Sequence, residues 1–66
     1  MDCYVGQRLF IYQPHIRGQF WCKVIEIRES SKDLLKAPAL VVEEETDGTI
    51  RVLPYFLKGL SWDIAT

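Results

Sequence analysis

The sequence predicts a mainly all-β fold, a small barrel of about five short antiparallel strands. Two segments rich in aromatic and branched residues, Gln7–Tyr12 and Phe20–Arg28, are separated by a short loop that contains proline and glycine. Asp47 and Gly48 form a strong turn signal between two further segments of this kind. A chain of 66 residues has room for one domain, residues 1–66, with a small core. Such a domain has hardly any room for a buried active site.

The first predicted strand is Arg8–Tyr12. Its alternation places Leu9 and Ile11 on one face and Phe10 and Tyr12 on the other. Pro14 ends the strand because proline has no N–H for the ladder, and Gly18 supplies a positive φ for the return.

The second predicted strand, Phe20–Arg28, is the longest in the chain. Alternation gives it two largely apolar faces, which favours a central position in the sheet. One face carries Phe20, Cys22, Val24 and Glu26, and the other carries Trp21, Lys23, Ile25 and Ile27.

The connection over residues 29–38 has two interpretations. Ser30 or Ser31 can cap a short helical turn over Lys32–Lys36, which Pro38 would stop. The alternative is a long polar hairpin loop. The residue types in this connection fit the helical turn and the hairpin loop equally well.

The second half of the chain is predicted to complete the barrel. Between its first two strands, Asp47 and Gly48 predict a two-residue turn with positive φ at both positions. A single 3₁₀ turn and a closing strand follow. In order, the elements are a third strand Ala39–Glu45, the turn Thr46–Thr49, a fourth strand Ile50–Leu53 ended by Pro54, the 3₁₀ turn Tyr55–Gly59 and a fifth strand Ser61–Ile64.

The charge of the chain is nearly balanced, with a net value of −1. This argues against a strong non-specific nucleic-acid binder, which usually carries a basic excess. Residues 1–28 carry four basic and two acidic side chains, a net of +2, and residues 29–66 carry four basic and seven acidic, a net of −3. Either folding mixes the two halves, or one face of the domain is basic and can steer an acidic partner.

The compartment is expected to be the cytoplasm. Two cysteines are too few for a disulfide scaffold, and Cys22, inside a strand, is predicted to be a small buried hydrophobe, while Cys3 is expected to stay a thiol. The first residues lack the basic and apolar pattern of a signal peptide, and no segment approaches the roughly 18 apolar residues of a membrane helix. No membrane partner is expected.

An enzymatic function is not expected. His15 is the only histidine, and nothing in the spacing places a cysteine beside it as a nucleophile. His15, Cys3 and Cys22 lack the paired spacing of a metal site, and the glycines are too scattered for a phosphate loop. No catalytic residue, metal or cofactor is therefore predicted.

The order of the elements and the opening residues resemble SH3-like small barrels of the Tudor and chromo-barrel type. The residues that carry the resemblance are Val5, Gly6, Leu9, Tyr12, Phe20, Trp21, Lys23 and Val24. The resemblance implies a binding site built from aromatic residues of the first two strands. Such sites also draw an aromatic from the segment after the third strand, and here Val41 and Val42 are followed by no aromatic until Tyr55.

The aromatic and basic residues fit either of two kinds of binding surface, or a structural role. Tyrosine and tryptophan are enriched at binding hot spots, and with a carboxylate they can hold a cation. The aromatic set is Tyr4, Tyr12, Trp21, Tyr55 and Trp62, of which Trp21 and Trp62 are alternatively core residues. A nucleic-acid surface would combine base stacking by Tyr12 or Phe20 with Arg8, Arg17, Lys23 and Arg28, which are alternatively ordinary solvated charges.

The sequence therefore predicts a non-enzymatic binding or adaptor module that acts through a protein partner or as a homodimer, with nucleic-acid binding as the alternative. Self-association would cover the apolar residues Phe10, Ile16, Phe56, Leu57 and Leu60. The candidate partner-binding residues are Tyr12, Arg17, Phe20, Trp21, Lys23 and Tyr55.

Overall fold

Five antiparallel strands form one sheet, which confirms the mainly β fold class. The computed structural model describes residues 3–15, 18–29 and 38–65. The strands are β1 Arg8–Gln13, β2 Gly18–Arg28, β3 Ala39–Glu44, β4 Ile50–Pro54 and β5 Asp63–Ile64, and a 3₁₀ turn, η1, covers Tyr55–Leu57.

The sheet is open, so the prediction of a closed barrel is wrong. Its strand order is β4-β3-β2-β1-β5, which leaves β4 and β5 as the two edges. The two residues of the fifth strand pair with Ile11 and Tyr12 of β1, and in the described part of the chain β5 does not pair with β4. The indole N–H of Trp62 donates to the carbonyl oxygen of Pro54 at 2.8 Å, which ties the end of β4 to the start of β5.

The hairpin of β1 and β2 has the predicted alternation. Leu9 and Ile11 are buried on the inner, core-facing side of the sheet, while Phe10 and Tyr12 lie on the outer side. The register pairs Phe10 with Trp21. Neighbouring outward side chains of the two strands therefore meet on the outer face.

A β-bulge in β2 changes the predicted face of Ile27. The register with β3 shifts between Val24 and Glu26, so that Ile25 and Glu26 are both exposed. The extra residue inverts the alternation that follows. Ile27 is half-buried against the core, and its predicted placement beside Trp21 on the outer face is wrong.

The core lies on the inner side of the sheet. Cys22 is fully buried there, as predicted, and Trp62 is 2% exposed, which makes it a core residue. The buried cluster comprises Leu9, Ile11, Phe20, Cys22, Val24, Leu40, Val42, Leu53 and Trp62.

The turn between β3 and β4 is longer than predicted. Only Gly48 has a positive φ, of 73°, and Asp47 does not, so the predicted two-residue turn is wrong. The N–H of Gly48 donates to the carbonyl of Glu44, and the Asp47 carboxylate accepts from the N–H of Thr49. The aspartate thereby stabilises a wider turn in which only one residue is left-handed.

The predicted 3₁₀ turn after Pro54 is confirmed, over Tyr55–Leu57. The fifth strand is shorter than the predicted Ser61–Ile64. The two interpretations of the connection 29–38 lie mostly outside the described residues, which end at Glu29 and resume at Pro38.

Candidate functional site

The most distinctive surface feature is an aromatic stack on the outer face of the β1–β2 hairpin. The rings of Phe10 and Trp21 are nearly parallel, at 11°, with their centroids 4.8 Å apart. Trp21 keeps 43% of its surface exposed. Direct pairing of the two residues across the hairpin fixes this contact, so the rings are held in place without being buried.

An arginine lies over the same indole ring. The guanidinium carbon of Arg8 is 3.9 Å from the centroid of the Trp21 ring, which is a cation–π contact. Its Nη2 donates to Glu45 Oε2 at 3.0 Å, and its Nε donates to Oε1 of the same carboxylate. The N–H of Glu45 donates to the carbonyl of Trp21 at 3.0 Å, which positions this glutamate beside the stack. We call Arg8, Phe10, Trp21 and Glu45 the aromatic–arginine face.

The charges of this face are paired. The hydrogen bond from Arg8 is the main reason that the pKa of Glu45 is lowered, and the same bond raises the pKa of Arg8. Both side chains are well exposed, so their Coulomb attraction is screened by water. The bidentate geometry therefore matters more for the orientation of the guanidinium than for stability.

An open depression of about 590 Å³ lies beside the aromatic–arginine face. It has both apolar and acidic walls, formed by Phe10, Gln19, Phe20, Trp21, Glu44, Glu45 and Thr46. The Glu44 side chain is fully buried, and its carboxylate accepts a hydrogen bond from Arg51 Nε at 2.9 Å. Burial, with a smaller contribution from the nearby Glu44 and Glu45 carboxylates, raises the pKa of Cys22 to about 11.

Three of the predicted site residues share the outer face. Tyr12 and Trp21 are both exposed there, and Tyr12 follows Phe10 on the same side of β1. Lys23 is exposed and lies opposite Arg8 on one side and Glu43 on the other. Arg17 lies outside the described residues.

The other two predicted site residues lie elsewhere. Phe20 is a core residue on the inner face, although it borders the depression. Tyr55 is half-buried in η1 and packs against the core, and burial is the main cause of its raised pKa. Trp62 is also a core residue, so of its two alternative roles the structure supports the structural one.

The candidate set missed the partners that hold Trp21. Alternation places Arg8 and Phe10 beside Tyr12 on the outer face, so the sequence carried a signal for both. Glu45 had no such signal, since its position depends on a backbone bond to Trp21 beyond the end of β3.

In the part of the chain that the structure describes, no group of three or more His, Cys, Asp or Glu side chains is arranged to hold a metal ion. Over the same residues, the structure has no helix with the length and apolar character needed to cross a bilayer.

Comparison of the chain with protein-family models, curated proteins and solved structures gave no match.

Proposed function

We propose that this protein is a non-enzymatic binding module that recognises a protein partner through the aromatic–arginine face. The observation that carries the proposal is the exposed stack of Phe10 and Trp21 with Arg8 held over the indole ring. Tyr12 and Lys23 extend this surface along the hairpin.

The composition of the face supports a protein partner. Tryptophan, tyrosine and arginine dominate the binding energy of protein interfaces, because they bring large contact areas together with polar groups. Here Phe10 and Arg8 contact Trp21, and Glu45 fixes Arg8.

Preorganisation gives this arrangement its value for binding. Ordering a long side chain at an interface costs about 0.5–1.5 kcal/mol. Arg8 is already oriented by Glu45 and by Trp21, so much of this entropy is lost on folding instead of on binding. The depression beside the stack offers room for a protruding apolar side chain of the partner.

Nucleic-acid binding is the second candidate, favoured by the exposed Trp21 ring with Arg8 and Lys23 nearby. Its weakness is electrostatic. Arg8 is paired with Glu45, and Lys23 lies opposite the acidic Glu43, so negative charge on this face offsets the positive charge that phosphates attract. A protein partner therefore ranks first.

We also propose that the fold is related to SH3-like barrels of the Tudor and chromo-barrel type. The order of five strands with a 3₁₀ turn before the last one supports it. The proposed binding face does not depend on this likeness.

The test uses the purified chain as immobilised bait in a native lysate, with mass spectrometry of the bound proteins. Trp21→Ala and Arg8→Ala baits are compared with the unchanged protein and with Ile25→Ala. Ile25 is the matched control, because it is an exposed apolar residue of the same strand outside the stack. We expect one set of proteins to be lost with the first two baits and retained by the control.

Retention of every bound protein by folded Trp21→Ala bait would reject the proposal. If nucleic acid is captured instead, its release at moderate salt and its loss with Lys23→Ala would favour the second candidate.

A further inference from the structure

The strand β4 forms an edge of the sheet at which Ile50 and Val52 are exposed. In the described part of the chain, β4 pairs with β3 alone. Ile50 and Val52 are 51% and 48% exposed, and both are branched apolar residues suited to a strand interface. An exposed apolar edge of this kind is a template for pairing with another strand.

The backbone groups of these two residues point away from the sheet. The Thr49 carbonyl accepts a hydrogen bond from the N–H of Glu44, and the N–H of Tyr55 donates to the Pro38 carbonyl. The backbone groups of Thr49 and Tyr55 therefore point towards β3. Backbone groups alternate in direction along a strand. Ile50, Val52 and Pro54 must therefore direct their backbone groups to the open edge.

The far end of this edge is already occupied. The Pro54 carbonyl accepts the indole N–H of Trp62, and the proline itself has no N–H to offer. Within β4, the backbone groups that remain available to a partner strand are thus those of Ile50 and Val52. A partner strand has a defined register here, with the turn at one side and Trp62 at the other.

We infer that a second copy of this chain pairs with this edge, through antiparallel contact of β4 with β4 about a two-fold axis at Arg51. In that register Ile50 of each copy lies opposite Val52 of the other, and the two residues exchange both backbone hydrogen bonds. Their side chains meet on the outer face. The edge is self-complementary, as an isologous interface requires.

The axis brings Arg51 of one copy opposite Arg51 of the other, and like charges at such positions repel. Each Arg51 is paired with the buried Glu44 of its own chain at 2.9 Å, on the inner face. This pairing weakens the repulsion, because each guanidinium has a carboxylate beside it. The arginine therefore does not protect the edge as a free lysine would.

The other edge is a poorer partner for β4. The strand β5 has only two residues, and the Lys58–Asp63 ion pair at 3.3 Å places charges beside it. Charged side chains on a short edge strand discourage pairing. Contact of β4 with β4 also closes as a dimer, whereas contact of β4 with β5 would continue to further copies.

The test combines sedimentation equilibrium with amide hydrogen exchange over a range of protein concentrations up to millimolar. We expect a mass of twice 7.7 kDa at high concentration, with the Ile50 and Val52 amides exchanging more slowly as the dimer forms. Val52→Lys is expected to weaken the dimer at least about tenfold, because it places two charges in the interface and removes two apolar side chains.

Leu60→Lys is the matched control, since Leu60 is 72% exposed but lies in the turn between η1 and β5. We expect the Leu60→Lys protein to dimerise as the unchanged protein does. A monomer at all concentrations, a dimer without protection of the Ile50 and Val52 amides, or a dimer disrupted by Leu60→Lys and not by Val52→Lys would overturn the inference. Because the edge lies apart from the aromatic–arginine face, the two proposals fail separately.

Discussion

At the scale of single residues, the chemistry of Cys22 is set by its burial. Its side chain is fully enclosed in the core, its S–H donates weakly to the Leu9 carbonyl, and its pKa is about 11. The thiolate is the reactive form of cysteine, and at pH 8 a rise from 9.0 to 11 lowers its fraction by about a hundredfold. Cys22 is thus a packing residue.

We therefore expect Cys22 to resist alkylation in the folded protein. Cys3→Ser leaves Cys22 as the one thiol, and its reaction with iodoacetamide at pH 8 can be followed by mass spectrometry. The rate should fall by about a hundredfold or more relative to the same variant in urea. Equal rates in the two states would show that the site is open to solvent.

The Arg8–Glu45 pair gives a titration that can be assigned. Because Arg8 lowers the pKa of Glu45 below its ordinary value of 4.5, folding favours the ionised carboxylate. The pair contributes to stability above the unfolded-state pKa, and this contribution is lost as the pH falls through the folded-state pKa. The contribution is small, as both side chains are exposed.

Arg8→Met should move the titration of Glu45 upward, towards 4.5, since it removes the hydrogen bonds and keeps an apolar side chain over Trp21. The side-chain carboxyl carbon of Glu45, followed by NMR, reports this midpoint. Arg51→Met is the control, because Arg51 pairs with Glu44 and not with Glu45. An unchanged midpoint in Arg8→Met would contradict the bidentate pair.

At the scale of elements, the turn between β3 and β4 depends on one backbone conformation. A Cβ at Gly48 would meet only Glu43 Oε1, at 3.7 Å, so the obstacle to substitution is the φ of 73° and not a clash. Gly48→Ala should lower the free energy of unfolding by about 1–2 kcal/mol. Gly48→Asn should cost less, because asparagine tolerates this region better. Urea denaturation of both variants checks the order, and equal losses would contradict the explanation.

The elements were predictable where the pattern is strictly local. The alternation Leu9-Phe10-Ile11-Tyr12 set the faces of β1, and Pro54 set the end of β4. The bulge at Ile25 was not predictable, because it arises from pairing with β3 and leaves no residue signature. The Asp-Gly signal located the turn but not its type, which depends on hydrogen bonds of Asp47 and Gly48 with their neighbours.

At the scale of the whole molecule, Trp62 links the two edges of the sheet, which the sequence predicted a closing strand would join. It is buried at 2% exposure and donates to Pro54, which joins the two edges of the open sheet. Trp62→Phe should lower the free energy of unfolding by about 1–3 kcal/mol, since the part-buried Pro54 carbonyl loses its donor. Trp21→Phe is the matched control and should cost less, as Trp21 is exposed. Equal losses in urea denaturation would argue against the tie.

The candidate site was predictable only in part, for reasons of long-range geometry. Trp21 and Tyr12 follow from alternation within one hairpin. Residue type alone could not show that Phe20 is buried while Trp21 is exposed. Phe20 is a core residue because it shares a face of β2 with Cys22 and Val24. The pairing of Arg8 with Glu45 joins residues 37 positions apart, which no local pattern reveals.

The affinity of Trp21→Ala for the captured partner is the most direct test of the proposed binding face. A central aromatic of an interface contributes about 2 kcal/mol or more, so isothermal titration calorimetry should show binding weakened by about thirtyfold or more. The variant should keep its fold, because the ring lies outside the core. A folded Trp21→Ala protein that binds the partner with unchanged affinity would contradict the proposed role of this face.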